Sequence, residues 1–198
     1  MSLPIAAAPT HLSPAEYLAW ERKTTFKNEY LNGAILAMSG ASEAHNLITM
    51  NISTGLYNQL IERECRVYAG AMRVGIDAAG SYLYPDVVVV YGKPRFEDDV
   101  FDTLLNPAVV VEVLSPSTEA RDRGEKFAQY RQLASLQEYI LVSQETVHVE
   151  HYLRQGPQWL LTEFRHIEAV LPIVSAECEL PLQHIYRLVE FPDNPENQ

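Results

Sequence analysis

Val109-Val110-Val111-Glu112-Val113-Leu114-Ser115-Pro116-Ser117-Thr118 is a β-branched run that carries one acid and ends on a Ser-Pro breaker. It predicts a buried strand over residues 107–114. Side chains alternate along a strand, so Val110, Glu112 and Leu114 share one face and Val109, Val111 and Val113 the other. Both faces are apolar, so cover is expected on both sides. A carboxylate in such a strand is costly unless a metal or a cation neutralises it. A second apolar run, Val87-Val88-Val89-Val90, follows Tyr84-Pro85-Asp86 and places another acid at a strand mouth. Two carboxylates entering buried strands suit a hard divalent ion such as Mg²⁺, which prefers oxygen ligands and keeps some of its waters. Such an ion acidifies water and neutralises phosphate charge, which points to phosphodiester hydrolysis with Asp86 and Glu112 as metal ligands.

Beyond the breaker a helix is expected over residues 119–134, with Ser115 and Thr118 as candidate caps. With Lys126 taken as zero at ~100° per residue, Leu133 falls about 20° to one side and Tyr130 about 40° to the other. Lys126 therefore lies in the arc that faces the sheet, where an ammonium needs an acidic partner. Arg123 points about 60° away and competes for that cationic role; Tyr130 reads as packing. A nearby lysine can orient water or stabilise the charge of a phosphoryl transition state.

Further out, Ser13-Pro14-Ala15-Glu16 is a capping box that opens a helix to about Arg22. Asn32-Gly33, between residues 26–31 and 34–38, signals a hairpin. Ile48, Ile52, Leu56 and Leu60 form one apolar stripe of a helix over residues 42–64, and His45 lies about 60° off that stripe. Short strands are expected at 66–69, 72–76 and 86–91, and a polar surface loop at 93–105. Another strand is expected at 138–142 and a hairpin at 146–153 and 158–164, around Gly156-Pro157. A strand and a short helix should fill 169–185, and the tail, 192–198, reads as disordered. This order describes an α/β sandwich around a mixed β-sheet flanked by helices. The expected organisation is a single domain, with a core at about 13–152 and a C-terminal β extension at about 153–187.

At 198 residues and 47% hydrophobic, one core is the expectation. Cys65 and Cys178 make neither a metal spacing nor a disulfide framework, which favours a reducing, cytoplasmic setting. The first residues lack the pattern of a secretory signal. The uncharged stretch at 44–61 contains Asn46, Asn51, Asn58 and Gln59, which excludes a membrane span. The net charge of −11 argues against general nucleic-acid binding. That charge is uneven: 12 basic and 16 acidic residues up to Arg131, but 3 and 10 beyond it. Residues 121–131 carry 4 basic residues against 2 acidic ones.

Asp86 in Tyr-Pro-Asp, then Val-Glu-Val-Leu-Ser-Pro-Ser-Thr, then Asp122, Lys126 and Tyr130, then Glu138-Tyr139, resembles the Uma2 family (DUF820). Asn28-Glu29-Tyr30 with Gly33, and His45, extend the likeness, which spans most of the chain. The resemblance implies a restriction endonuclease-like core of the PD-(D/E)XK kind and a Mg²⁺- or Mn²⁺-dependent endonuclease acting on DNA. It also implies a homodimer able to cut both strands, and catalytic roles for Asp86, Glu112, Lys126, Glu29 and His45. The wider superfamily carries its lysine two residues after the acid, which here is Leu114; the resemblance implies that Lys126 takes its place. Leu114 and the acidic surface also suit an alternative, a non-catalytic nuclease-fold module that binds a protein or nucleic-acid partner.

Overall fold

The computed structural model describes residues 12–38, 40–76 and 80–192, so the expected tail lies outside the described residues except for Pro192. The chain begins with α1 (Pro14–Glu21), β1 (Asn28–Leu31), β2 (Ala34–Ala37) and α2 (Glu43–Leu60). Six strands follow: β3 (Cys65–Ala69), β4 (Arg73–Ile76), β5 (Ser81–Leu83), β6 (Val87–Tyr91), β7 (Thr103–Leu104) and β8 (Val109–Leu114). Next come α3 (Glu119–Arg121), a π turn (Asp122–Lys126) and α4 (Phe127–Tyr130). The chain continues through β9 (Glu138–Ser143), β10 (Val149–Gln155), β11 (Gln158–Phe164) and β12 (Val170–Ile173). A 3-10 turn (Val174–Ala176), β13 (Cys178–Pro181) and α5 (Leu182–Ile185) complete it.

The quoted run is β8, and all six of its residues are buried. It lies inside a six-stranded sheet of order β11-β10-β9-β8-β6-β3, antiparallel to β6 and parallel to β9. The sheet is therefore mixed, as expected. Two further sheets accompany it: a five-stranded one of order β2-β1-β5-β4-β7, and the β12-β13 pair. The expectation of one sheet is corrected here, because β1, β2, β4 and β5 pair among themselves. The stretch expected as a loop at 93–105 contains β7, which pairs parallel with β4.

Each face of the central sheet has its own cover. On one side Val87, Val89, Val109, Val111 and Val113 pack with the α2 stripe Ile48, Ile52, Leu56 and Leu60. These four are the buried residues of α2, as the four-residue spacing requires. Leu171, Ile173, Leu180, Leu182 and Ile185 join the same cluster, so the C-terminal segment helps to seal the core. At Gly55 a Cβ would meet the end of the Leu180 side chain at 2.6 Å, so a larger residue there would have to displace Leu180 of β13. On the other side Val88, Val90, Val110 and Leu114 pack with Phe127 and Tyr130 of α4 and with Leu31, Val74, Ile76 and Leu83 of the five-stranded sheet.

Local signals hold where backbone chemistry dictates them. Ser13 and Glu16 form the reciprocal capping box. Asn32 and Gly33 both take positive φ, 52° and 86°, as a tight hairpin of this twist needs. The helix after β8 departs from expectation twice. It stops at Tyr130 instead of 134, and its middle widens into the π turn. Thr118 makes no side-chain cap; the Ser115 carbonyl accepts the first amides while the two hydroxyls bond each other at 3.0 Å. Cys65 and Cys178 are free thiols. Among the described residues no helix is long and apolar enough to cross a membrane.

Candidate metal-dependent active site

Glu112 is 3% exposed, and its face of β8 is covered by the turn that carries Lys126, itself 5% exposed. The Lys126 Nζ lies 2.9 Å from Glu29, 3.2 Å from Asp122 and 3.3 Å from Glu112. Each acid comes from a different element: Glu29 from β1, Glu112 from β8 and Asp122 from the π turn. Asp122 and Lys126 are four residues apart and turn the same way, toward the sheet. π turns recur at functional sites, and this one sets two opposite charges beside the strand acid. The inward arc expected for Lys126 is thus observed.

Arg123, the rival cation, turns aside; it pairs with Glu119 and Glu150 at 2.8 Å each. Tyr130 does more than pack, because its hydroxyl donates to Glu112 Oε1 at 3.2 Å. The Tyr84 amide donates to Glu29 Oε1 at 3.2 Å, so Glu29 is a buried member of the cluster and no ordinary surface residue of its strand.

Asp86 stands at the start of β6, beside Glu112 across the β6–β8 pair. The Val113 amide donates to its Oδ2 at 2.7 Å, and His45 Nε2 lies 2.8 Å from its Oδ1. Asp86, Glu112, Lys126, Glu29 and His45 all line one cavity of about 850 Å³, as does Asp122. Sequence reasoning placed Asp122 in a family motif but gave it no role. Its four-residue offset from the inward Lys126 was the signal.

The electrostatics are unbalanced. Four carboxylates face one ammonium, an excess of three negative charges if all are ionised. Burial pushes the Glu112 carboxyl well above the ordinary glutamate range; Lys126 opposes this, while Asp122, Asp86 and Glu29 add to it. Burial alone would lower the Lys126 pKa, but Glu112, Glu29 and Asp122 outweigh it and hold the ammonium protonated.

The donor set fits a hard divalent ion. All four acids offer oxygen, and Asp122 Oδ1 is buried without a hydrogen-bond partner although it lies within ion-pair distance of Lys126. Among the described residues a tighter group of potential donors lies elsewhere: His148, Glu150 and Glu163, with atoms within 4.8 Å of one another. Those groups are already engaged, Glu150 by Arg123 and Tyr152, and Glu163 by Arg165 and His148. At the central site the Lys126 ammonium occupies the point on which three acids converge, which keeps their oxygens apart.

A mixed sheet with Glu112 inside one central strand and Asp86 at the start of its neighbour, faced by a lysine from the next helical segment, defines a protein of the restriction endonuclease-like fold. Residues 14–183 match the Uma2 family, described as "Putative restriction endonuclease", and the chain belongs to that family. Two uncharacterised proteins of Synechocystis sp. are similar to it. The protein sll1609 is 40% identical over 160 residues, which are 80% of this chain and 90% of that one. The protein slr1290 is 36% identical over 181 residues, 91% of this chain and 94% of that one. The fold is also that of a crystal structure from Anabaena variabilis described as "a putative nuclease belonging to DUF820". That likeness has a TM-score of 0.73 at 18% identity and covers 90% of this chain and 99% of the other.

Proposed function

We propose that the chain is a divalent-metal-dependent endonuclease that hydrolyses DNA phosphodiester bonds. The observation that carries this reading is the convergence of four carboxylates and one lysine on the floor of a single cavity. Asp86 and Glu112 would hold Mg²⁺ or Mn²⁺, with Asp122 Oδ1 a further available oxygen. When bound, the ion would neutralise phosphate charge and make water a better nucleophile at neutral pH.

The chain's own groups divide the remaining work. Lys126, whose pKa its three acids raise, would present positive charge to the phosphoryl oxygens. Glu29 and Tyr130 hold Lys126 and Glu112 in place from either side. His45 and the Val113 amide clamp Asp86, one on each oxygen. His45 is also the imidazole at the cavity wall able to pass a proton toward a leaving oxygen.

The test is cleavage of DNA with Mg²⁺ or Mn²⁺ by wild type and by Glu112→Gln. Loss of cleavage in the variant is expected, and unchanged cleavage overturns the assignment. One observation favours a second reading, a nuclease-fold module that only binds: Lys126 is already satisfied by three carboxylates, as in a purely structural ion cluster. Calorimetric titration separates the two, because a folded protein that takes up no divalent ion at millimolar concentration supports the module.

A further inference from the structure

The acids lie on the cavity floor, but the cavity mouth has a different chemistry. Phe26 lines it with 66% of its surface exposed and makes no ring contact with another aromatic among the described residues. Met38, also exposed, lines the same wall; its amide bonds the Lys27 carbonyl at 3.0 Å, which holds the two segments side by side. Phe26 and Met38 thus put an exposed ring and an exposed thioether on the lining of one cavity.

Two cations line the same cavity. The Lys27 Nζ donates to the Gly70 carbonyl and lies over the Tyr84 ring at 5.6 Å, with no acid paired to it among the described residues. Arg121, on the same lining, has no ion-pair partner among the described residues although the chain is strongly acidic. The cavity lining thus offers a π face, a thioether and two cations that no carboxylate neutralises among the described residues. Successive bases stack on such aromatic steps while cations follow the phosphates, a pattern suited to nucleic acid whose bases are unpaired.

Two further facts favour an unpaired strand. Glu29 and Glu112 are each 3% exposed, so a phosphate must descend into the cavity to approach them. Two cations without an acidic partner among the described residues are also few for a duplex binder, whose affinity rests on neutralising many phosphates.

We propose that the Phe26–Met38 step seats an unpaired nucleobase while Lys27 and Arg121 hold the flanking phosphates, so that the site acts on single-stranded DNA. This inference rests on the nuclease reading for its chemistry, but its test reads binding alone. Anisotropy of a fluorescein-labelled oligonucleotide is followed with wild type, Ca²⁺ replacing Mg²⁺, for the free strand and for the same strand annealed to its complement. The single strand should bind roughly ten-fold or more tightly than the duplex. Phe26→Ala should remove roughly ten-fold of that affinity, leave duplex binding unchanged, and be rescued by Phe26→Trp. With two phosphate contacts, the log–log salt slope should be about −1.4, and Arg121→Ala should flatten it by about 0.7. Equal or tighter duplex binding, or a Phe26→Ala protein with unchanged single-strand affinity, overturns the proposal. If duplex binding wins while cleavage still depends on Glu112, this inference falls and the nuclease reading stands. If neither form is cut, the nuclease reading falls and the binding assay still decides this one.

Discussion

Two buried glutamates lie on neighbouring parallel strands and behave in opposite ways. Glu112 on β8 faces the cavity side of the sheet; Glu138 on β9 is fully buried on the other. Around Glu138 every contact is a donor: His151 Nε2 at 2.5 Å, the Ser175 amide at 2.7 Å, the Ser175 hydroxyl, and the Val174 amide at 3.2 Å. Burial would raise its pKa, but the bonds from His151 and Ser175 prevail and hold it below the ordinary glutamate range. Around Glu112 the donors are Lys126 and Tyr130, and three more carboxylates crowd the same space. Burial is common to both. The difference lies in the company each acid keeps: Glu138 pins the 3-10 turn of the C-terminal segment to the sheet, whereas Glu112 remains short of positive charge. An acid satisfied within the fold holds structure together, and one left short of partners is the better candidate for a ligand.

The largest expected effect breaks this symmetry at the level of chemistry. Glu112→Gln should lower metal-supported DNA cleavage by about a thousand-fold or more, some 4 kcal/mol of barrier, while leaving the protein folded. Glu138→Gln should leave the cleavage rate of the folded fraction near that of wild type. Single-turnover cleavage normalised to folded protein checks both, and comparable losses in the two variants would collapse the distinction.

Stability should show the reverse ordering of causes. Lys126→Met removes the one lysine among the site acids and should cost roughly 3–4 kcal/mol in urea denaturation without divalent ion. Adding Glu112→Gln to that background should recover part of the loss, because one of the stranded charges is gone. A Lys126→Met protein as stable as wild type would mean that the acids are already neutral, contrary to the ion-paired cluster. At the second centre Glu138→Ala leaves His151 and two amides without their acceptor, a loss of about 3 kcal/mol. It should also loosen the 170–185 segment, visible as faster amide exchange in β12 and β13.

Much of the first centre was legible in the sequence and little of the second. Glu112 announced itself as a charge among valines, Asp86 as an acid opening another such run, and Lys126 as a lysine on a helical face otherwise filled by Leu133 and Tyr130. Each is a local violation of pattern, and pattern is what sequence shows. Glu138 sits at the edge of an apolar run as Asp86 does, but its partners His151 and Ser175 lie 13 and 37 residues away, in elements that no local signal joins to it. The π turn escaped for another reason. Asp122-Arg123-Gly124-Glu125-Lys126 has ordinary helical spacing, and nothing local in it marks a widened turn. The second sheet was missed likewise, because the strands at 26–38 and 72–83 carry no mark of which neighbour they pair with.

The smallest effect concerns pH and tests the donor-rich character of Glu138 directly. A carboxyl whose folded pKa is depressed contributes stability that is fully present above its unfolded value and lost as pH falls through the folded one. Glu138 is such a group, with an unfolded reference of 4.5. Glu138→Gln carries no charge to titrate, so it lacks that contribution at every pH. The gap in melting temperature between wild type and Glu138→Gln should therefore be widest near neutrality and begin to close as pH drops below about 4.5. His151, the imidazole partner of the pair, is present in both proteins, and Tyr91 reaches the cluster only through the Ser175 hydroxyl. The sign of the trend therefore belongs to Glu138. A gap that instead widens toward acid would place its folded pKa above the unfolded one. Glu138 would then be a second Glu112, and the contrast between a satisfied acid and an unsatisfied one would be lost.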